Sequence, residues 1–272
     1  MRMIRWYRIL INYLNQKWVK NDECMISVSD EGFLSGTSVY ESLRTYSGNI
    51  FHFSDHYKRL RHSADAFMIE TPFNESELLE LIIEGIKMNS IEEAYIRIQL
   101  SLSGTVFLSF SNMPEIDKNI YKDGIKIGIS DIRRNPVIYL GKVVKTTASS
   151  DVFMARCRFS KKDFYEKIML NSQGFLAEGT FSNIFIIKNG EIITPSLDTG
   201  ILDGITRRTV IKHAEAVKEF KVHERKMEVY ELFESDEVFL THTSAGIVPV
   251  REICSVKKNN HELIYKLKEN FI

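Results

Sequence analysis

Apolar positions along this chain follow two different periods, and their alternation predicts an α+β first half. Residues 94–103 alternate strictly, with Tyr95, Arg97, Gln99 and Ser101 on one side and Ile96, Ile98, Leu100 and Leu102 on the other, the pattern of a half-buried strand. Residues 9–14 and 36–46, rich in β-branched and aromatic side chains and bounded by Gly, Asn or Ser, predict two more strands. Ser54 precedes Tyr57, Leu60, Ala64 and Phe67 at helical spacing. Asn74 followed by Glu77 has the form of a capping box ahead of Leu78, Leu79, Ile82, Ile83 and Ile86.

A polar stretch with Pro, Asp and Asn, residues 112–124, separates two strand-like segments and sets the expected domain boundary. The expected organisation is a small α+β domain over residues 1–122 and a larger α/β domain over 123–272, with 131–139 as interdomain loop. The second part reads as strands over 125–129 and 142–147, a helix over 149–162, and strands over 167–171 and 180–188. Asn189-Gly190 then predicts a two-residue hairpin turn. A helix follows Asp203-Gly204, and a buried strand over 237–240 leads into a loop at 242–246. The fold class is therefore α/β, in an α+β two-domain arrangement.

Composition narrows the function classes. With 36 basic and 36 acidic residues among 272, the chain has no general polyanion-binding character, and any anion site must be local. Three widely spaced cysteines and seven scattered histidines offer neither a disulfide framework nor a metal-ligand spacing. No apolar run approaches the roughly 18 residues of a membrane span. The expectation is a cytoplasmic protein without signal peptide, membrane anchor, metal or nucleic-acid partner.

Several segments carry candidate chemistry. In LDGITRR, residues 202–208, a Gly turn and Thr206 precede the helical run Val210, Ile211, Ala214 and Val217. First-turn N–H groups and a hydroxyl there suit a phosphate, although the same residues also make an ordinary capped surface helix. The hydroxyl-rich loop THTSAG, residues 241–246, allows close backbone approach by an anion or is a simple turn. Arg59 in HYKRLRHSAD is a fork for phosphate or a solvated helix-face arginine. Lys145 in VVKTTASS lies at a partly buried strand end, where a lysine amine can form a Schiff base. Glu178 closes the apolar strand in FLAEGTFSNIF, and Tyr95 with Arg97 is placed either for solvent or for a cleft that recognises carboxylates.

These segments occur in an order that resembles the fold-type IV enzymes dependent on pyridoxal 5'-phosphate (PLP). That group contains branched-chain aminotransferases, D-amino-acid aminotransferases and 4-amino-4-deoxychorismate lyases. The resemblance runs from SDEGFLSGTSVYESLRTYSGNIF and HYKRLRHSAD through LAEGTFSNIFIIKNGEIITPSLDTGILDGITRR to DEVFLTHTSAGIVPVREI. It implies a homodimer and assigns Lys145, 33 residues before Glu178, as the lysine that carries the cofactor, with Lys142 a weaker candidate. It also implies that Glu178 faces the pyridine nitrogen, that Arg59, Ile205, Thr206 and Thr243 form a phosphate cup, and that Ser244 and Ala245 meet the substrate carboxylate. Tyr40, Tyr95 and Arg97 match pocket-lining positions.

The chain departs from the branched-chain pattern in four places. Ser150 stands where a Tyr is usual, Gly36-Thr37-Ser38 replaces a GDG turn, Tyr95-Ile96-Arg97-Ile98 replaces YIRP, and Ser42 supplies a hydroxyl where lyases commonly carry Thr. The expected activity is transfer of an amino group between a branched-chain amino acid and 2-oxoglutarate. Aminodeoxychorismate lyase and D-amino-acid aminotransferase activities are the alternatives.

Overall fold

The computed structural model describes residues 10–159, 163–217, 220–258, 260–269 and 271. It divides into two units, one of Met1–Pro114 with Lys145–Ala148, the other of Glu115–Val144 with Ser149–Ile272.

The first unit contains β1 (Ile11–Leu14), β2 (Lys17–Lys20), α1 (Glu31–Leu34), β3 (Ser38–Tyr46), β4 (Asn49–Ile50), α2 (Phe53–Ala66), α3 (Glu75–Met88), β5 (Ala94–Ser101) and β6 (Val106–Asn112). Its strands form an antiparallel sheet in the order β2-β1-β6-β5-β3-β4. Alternation gives that sheet two chemically distinct faces. Val39, Leu43, Ile96, Ile98, Leu108 and Phe110 are buried, together with Leu60 and Ala64 of α2 and Leu78 and Ile82 of α3. Tyr40, Ser42, Tyr95, Arg97 and Gln99 alternate with them and remain partly exposed. Gly85 lets α3 approach the sheet, because a Cβ there would lie 2.2 Å from the Phe110 ring.

The predicted capping box is present, with the Asn74 side chain accepting from the Glu77 N–H and the Glu77 carboxylate accepting from the Asn74 N–H. The start predicted at Ser54 is displaced. His52, in the left-handed region at φ 47, turns the chain out of β4, so α2 begins at Phe53 and Ser54 lies inside its first turn.

The second unit contains α4 (Asn119–Lys122), β7 (Ile125–Ile129), β8 (Ile138–Tyr139), β9 (Lys142–Val143), α5 (Ser150–Cys157), β10 (Glu166–Leu170), β11 (Leu176–Gly179), β12 (Asn183–Lys188), β13 (Glu191–Pro195), α6 (Ile205–Val217), β14 (Lys221–Arg225), α7 (Val229–Glu234), β15 (Glu237–His242), β16 (Gly246–Ile253), β17 (Val256–Lys257) and α8 (Glu262–Lys268). Among the described residues its main sheet runs β11-β10-β7-β16-β15-β12-β13-β14, with β17 on β16. The inner strands are apolar on both faces, as a sheet covered on two sides requires. Ile184 and Ile186 join a cluster with Ile127, Ile168, Val238 and Val248, whereas Phe185 and Ile187 join another with Val210, Ala214, Phe239 and Leu267.

The Asn189-Gly190 turn is present, both residues at positive φ, between paired Lys188 and Glu191. Two predicted strands are broken. The 142–147 segment pairs only at Lys142 and Val143 before Thr146 bridges to Val39, and the 180–188 segment begins at Asn183 because Thr180–Ser182 turn around a buried carboxylate. The predicted helix 149–162 ends at Cys157, and residues 9 and 160–162 of the expected elements lie outside the described residues.

Candidate active site

Lys145 is pinned by its backbone. The segment 145–148 lies along the start of β3, with the Tyr40 N–H donating to the Lys145 carbonyl (3.1 Å) and the Thr147 N–H to the Ser38 carbonyl (2.9 Å). From α2, Ser63 Oγ accepts the Lys145 N–H at 3.1 Å. Its half-buried side chain crosses the Tyr40 ring, with Nζ 4.5 Å from the centroid, and the Arg97 guanidinium carbon lies 4.1 Å from that same centroid. Lys145 and then Arg97 hold the Tyr40 phenol below its ordinary range against the opposing effect of burial. Among the described residues no carboxylate pairs with Lys145. Lys142 is exposed in the β8–β9 hairpin, opposite Tyr139, which disfavours it as the reactive amine.

On β3 the neighbour of Tyr40 points the other way. Glu41 is fully buried against α2, where Arg59 Nε and Nη2 donate to its two oxygens (2.7 and 2.8 Å) and His56 Nδ1 approaches to 2.7 Å. Burial alone would raise the Glu41 carboxyl, but Arg59 and His56 outweigh it and hold the group well below the usual carboxylate range. Burial lowers His56 against the opposing effect of Glu41, and its Nδ1 carries the proton that the carboxylate accepts. Arg59 is therefore a guanidinium oriented from beneath by a fixed carboxylate. Tyr95 and Ser42 complete the exposed face, opposite Arg44 and Arg97 in the β3–β5 register.

In the second unit the central group is Glu178 at the end of β11. Arg134 Nε donates to Oε1 (2.8 Å), while the Leu202 N–H (2.9 Å) and Asn183 Nδ2 (3.3 Å) donate to Oε2. Arg134 also donates from Nη1 to Asp151 (2.7 Å), which further accepts the Asn135 N–H. Arg134 is held more firmly protonated than usual, since Glu178 and Asp151 overcome its loss of hydration. Gly204 is required here because a Cβ would sit 2.0 Å from Asn183 Oδ1. Gly179 is required for a similar reason, at 2.5 Å from the Glu166 carboxyl.

Glu166 is the carboxylate around which the 180–182 turn forms. It accepts from Thr180 Oγ1 (3.2 Å), the Phe181 N–H (2.6 Å) and Ser182 Oγ (2.6 Å), and burial pushes it up to about 7 despite those bonds. Ile205 and Thr206 open α6, with first-turn N–H groups at the positive end of a 13-residue helix. Neither Thr206 nor Thr243 spends its hydroxyl on a described residue. Thr243, Ser244 and Ala245 form the turn joining β15 to β16.

Each unit thus gathers part of the predicted set, with Lys145, Tyr40 and Arg97 on one ring and Glu178 tied to Leu202 just before Ile205. Sequence reasoning missed Glu41, Arg134, Asp151, Glu166 and Asn183. One signal was present: Glu41 follows Tyr40 on a predicted strand and so faces the opposite side of the sheet. Two of the histidines read as scattered have defined structural partners. His56 and His242 are buried and hydrogen-bonded, because partners distant in sequence converge on them.

A family model described as "Amino-transferase class IV" matches residues 38–253. A relative from Thermotoga maritima named "Probable branched-chain-amino-acid aminotransferase" is 38% identical over 99% of both chains. The aminodeoxychorismate lyase of Bacillus subtilis is 28% identical, covering 89% of this chain and 86% of its own. A solved structure of the T.th. branched-chain amino acid aminotransferase with pyridoxamine 5'-phosphate superposes with a TM-score of 0.87 at 26% identity, over 97% of this chain and 93% of the other.

Proposed function

The chain belongs to the class IV aminotransferases, and from that premise we propose that it transfers the amino group of a branched-chain L-amino acid to 2-oxoglutarate. The enzymes of this family use PLP, and the residues present fit that cofactor. The observation that carries the reading is Lys145: a half-buried amine with a pinned backbone, no described carboxylate partner and an aromatic ring beneath it. Glu178 is a buried carboxylate suited to the ring nitrogen. The N–H groups of Ile205 and Thr206 with the hydroxyls of Thr206 and Thr243 suit a phosphate, and Arg59 supplies an oriented cation. Thr241 Oγ1 is buried without a hydrogen-bond partner among the described residues, as expected of a hydroxyl whose acceptor comes from outside the chain.

When bound, PLP supplies an electron sink at the substrate α-carbon. Lys145 would hold the cofactor, and its Nζ would serve as the base for the substrate α-proton. Glu178, kept in place by Arg134, Asn183 and the Leu202 N–H, would keep the pyridine nitrogen protonated. Tyr40, Tyr95 and Arg97 line the substrate side, and the Ser244–Ala245 turn receives its carboxylate.

Two further features belong to this reading. Met25, Val28, Phe33 and Leu34 are 78, 76, 64 and 61% exposed in one stretch of the first unit, which supports a homodimer that covers them. Three free cysteines support a cytoplasmic location, and no helix among the described residues is long and apolar enough to cross a membrane.

A donor panel with PLP tests the function. L-leucine or L-valine with 2-oxoglutarate should give glutamate and the matching keto acid, and Glu178→Gln should retain PLP while slowing this by roughly 100- to 1,000-fold, the loss of one aligned electrostatic partner. Ser42 favours one second reading, the lyase. Conversion of aminodeoxychorismate to 4-aminobenzoate without transamination of any amino acid, abolished by Ser42→Gly, would install that reading instead.

A further inference from the structure

The turn after β15 is braced by side chains that play no part in the chemistry above. His242 closes the hairpin opposite Gly246, and its buried ring makes one hydrogen bond from each nitrogen: Nδ1 to Ser244 Oγ (2.9 Å) and Nε2 to Tyr165 Oη (3.0 Å). Phe181 meets the ring edge to face, with centroids 5.2 Å apart at 89°. On the far side of the turn, Tyr121 Oη donates to the Ala245 carbonyl at 3.0 Å. The Ser244 side chain and the Ala245 carbonyl are thus both held by protein. The N–H of buried Ala245 donates to no described residue, although buried backbone donors are almost always paired.

Proton positions follow from the partners. Burial pushes the Tyr165 phenol up, so it keeps its O–H, and burial takes His242 down to about 4, so the ring is neutral. A neutral imidazole has one donor and one acceptor. Of the two hydroxyls on the ring, the phenol is the stronger donor and the weaker acceptor, which favours Tyr165 donating to Nε2 and the ring proton on Nδ1, facing Ser244 Oγ.

We propose that His242, set in this tautomer by Tyr165, is a positioning residue that locks Ser244 and presents the Ala245 N–H to the carboxylate of the bound amino or keto acid. The inference rests on the reading of the Ser244–Ala245 turn as the carboxylate site. Both half-reactions bring a carboxylate to that turn, so loss of the brace weakens donor and acceptor alike. It leaves proton transfer at Lys145 unchanged.

The test uses the PLP-loaded enzyme and 4-methylvalerate, a carboxylate without an amine, titrated by calorimetry. His242→Phe keeps the ring packing and removes both hydrogen bonds, and Tyr165→Phe removes only the donor that sets the tautomer. Each should weaken 4-methylvalerate by roughly three- to tenfold, the scale of one buried hydrogen bond. KM for both substrates should rise in parallel, with kcat within about twofold. Ser244→Ala combined with His242→Phe should be no worse than either alone, as for two members of one linkage. Nitrogen-15 NMR of wild-type enzyme should show His242 protonated at Nδ1.

Protonation at Nε2, or unchanged 4-methylvalerate affinity in His242→Phe, overturns the proposal. Ala245→Pro removes the amide itself and separates the two levels. If it abolishes 4-methylvalerate binding while His242→Phe has no effect, the carboxylate reading stands and only the brace falls. If a folded Ala245→Pro enzyme binds normally, the carboxylate reading and the brace fall together.

Discussion

Replacing Glu41 with Gln removes one negative charge from a buried cluster without changing its size. Glu41 accepts from Arg59 at 2.7 and 2.8 Å and from His56 at 2.7 Å, and its side chain is fully excluded from solvent. An amide offers one acceptor oxygen where the carboxylate offers two, and its NH2 must face a donor. Arg59, itself only 10% exposed, loses the carboxylate that its Nε and Nη2 face. Breaking a buried pair by losing one member costs about 3–5 kcal/mol. Trp18 lies on β2 of the unit that holds Glu41, so urea unfolding followed by Trp18 fluorescence in a Trp6→Phe background reports on that unit. At slopes of about 1–3 kcal/mol per molar, the midpoint should fall by about 1 M or more.

The pH dependence has a defined sign. The folded Glu41 carboxyl lies below its ordinary value of 4.5, so its contribution is complete above that pH and is lost as pH falls towards the folded value. The gap between wild type and Glu41→Gln should therefore be constant above about pH 5.5 and narrow by up to about 1.4 kcal/mol per pH unit below 4.5. A gap under about 1 kcal/mol at pH 7, or one that stays constant down to pH 3, would refute the argument. The same variant should retain PLP less well, because Arg59 loses the group that aims it.

Arg134→Met should cost about 3–5 kcal/mol in circular-dichroism unfolding, since Glu178 and Asp151 would both lose their buried cation. Asp151→Asn, which leaves the Arg134–Glu178 bond in place, should cost less. His242 makes the reverse of a salt-bridge contribution: burial lowers it from 6.5 to about 4, so its stabilisation is present above 6.5 and lost as pH falls to about 4. Over that interval wild type should lose up to about 3 kcal/mol relative to His242→Phe in paired urea titrations.

Local chemistry was legible in the sequence wherever neighbours in the chain are also neighbours in space. The Asn74–Glu77 capping box, the two faces of residues 94–101 and the Asn189-Gly190 turn each depend on residues a few positions apart. The order of Lys145, Glu178, Gly204-Ile205-Thr206 and the THTSAG loop was likewise readable, because the chemistry expected of each stretch sits within a few residues. Tertiary structure decided what holds those groups. Glu41 meets Arg59 across 18 positions, Arg134 meets Glu178 across 44, and Tyr165 meets His242 across 77. Nothing in the neighbourhood of a buried charge states which distant group neutralises it. A histidine without motif spacing looks incidental until a phenol and a hydroxyl converge on its two nitrogens. The broken strand at Thr180–Ser182 has the same origin: its residues have strand propensity, but the buried Glu166 carboxylate needs three donors, and those donors bend the chain away from the ladder.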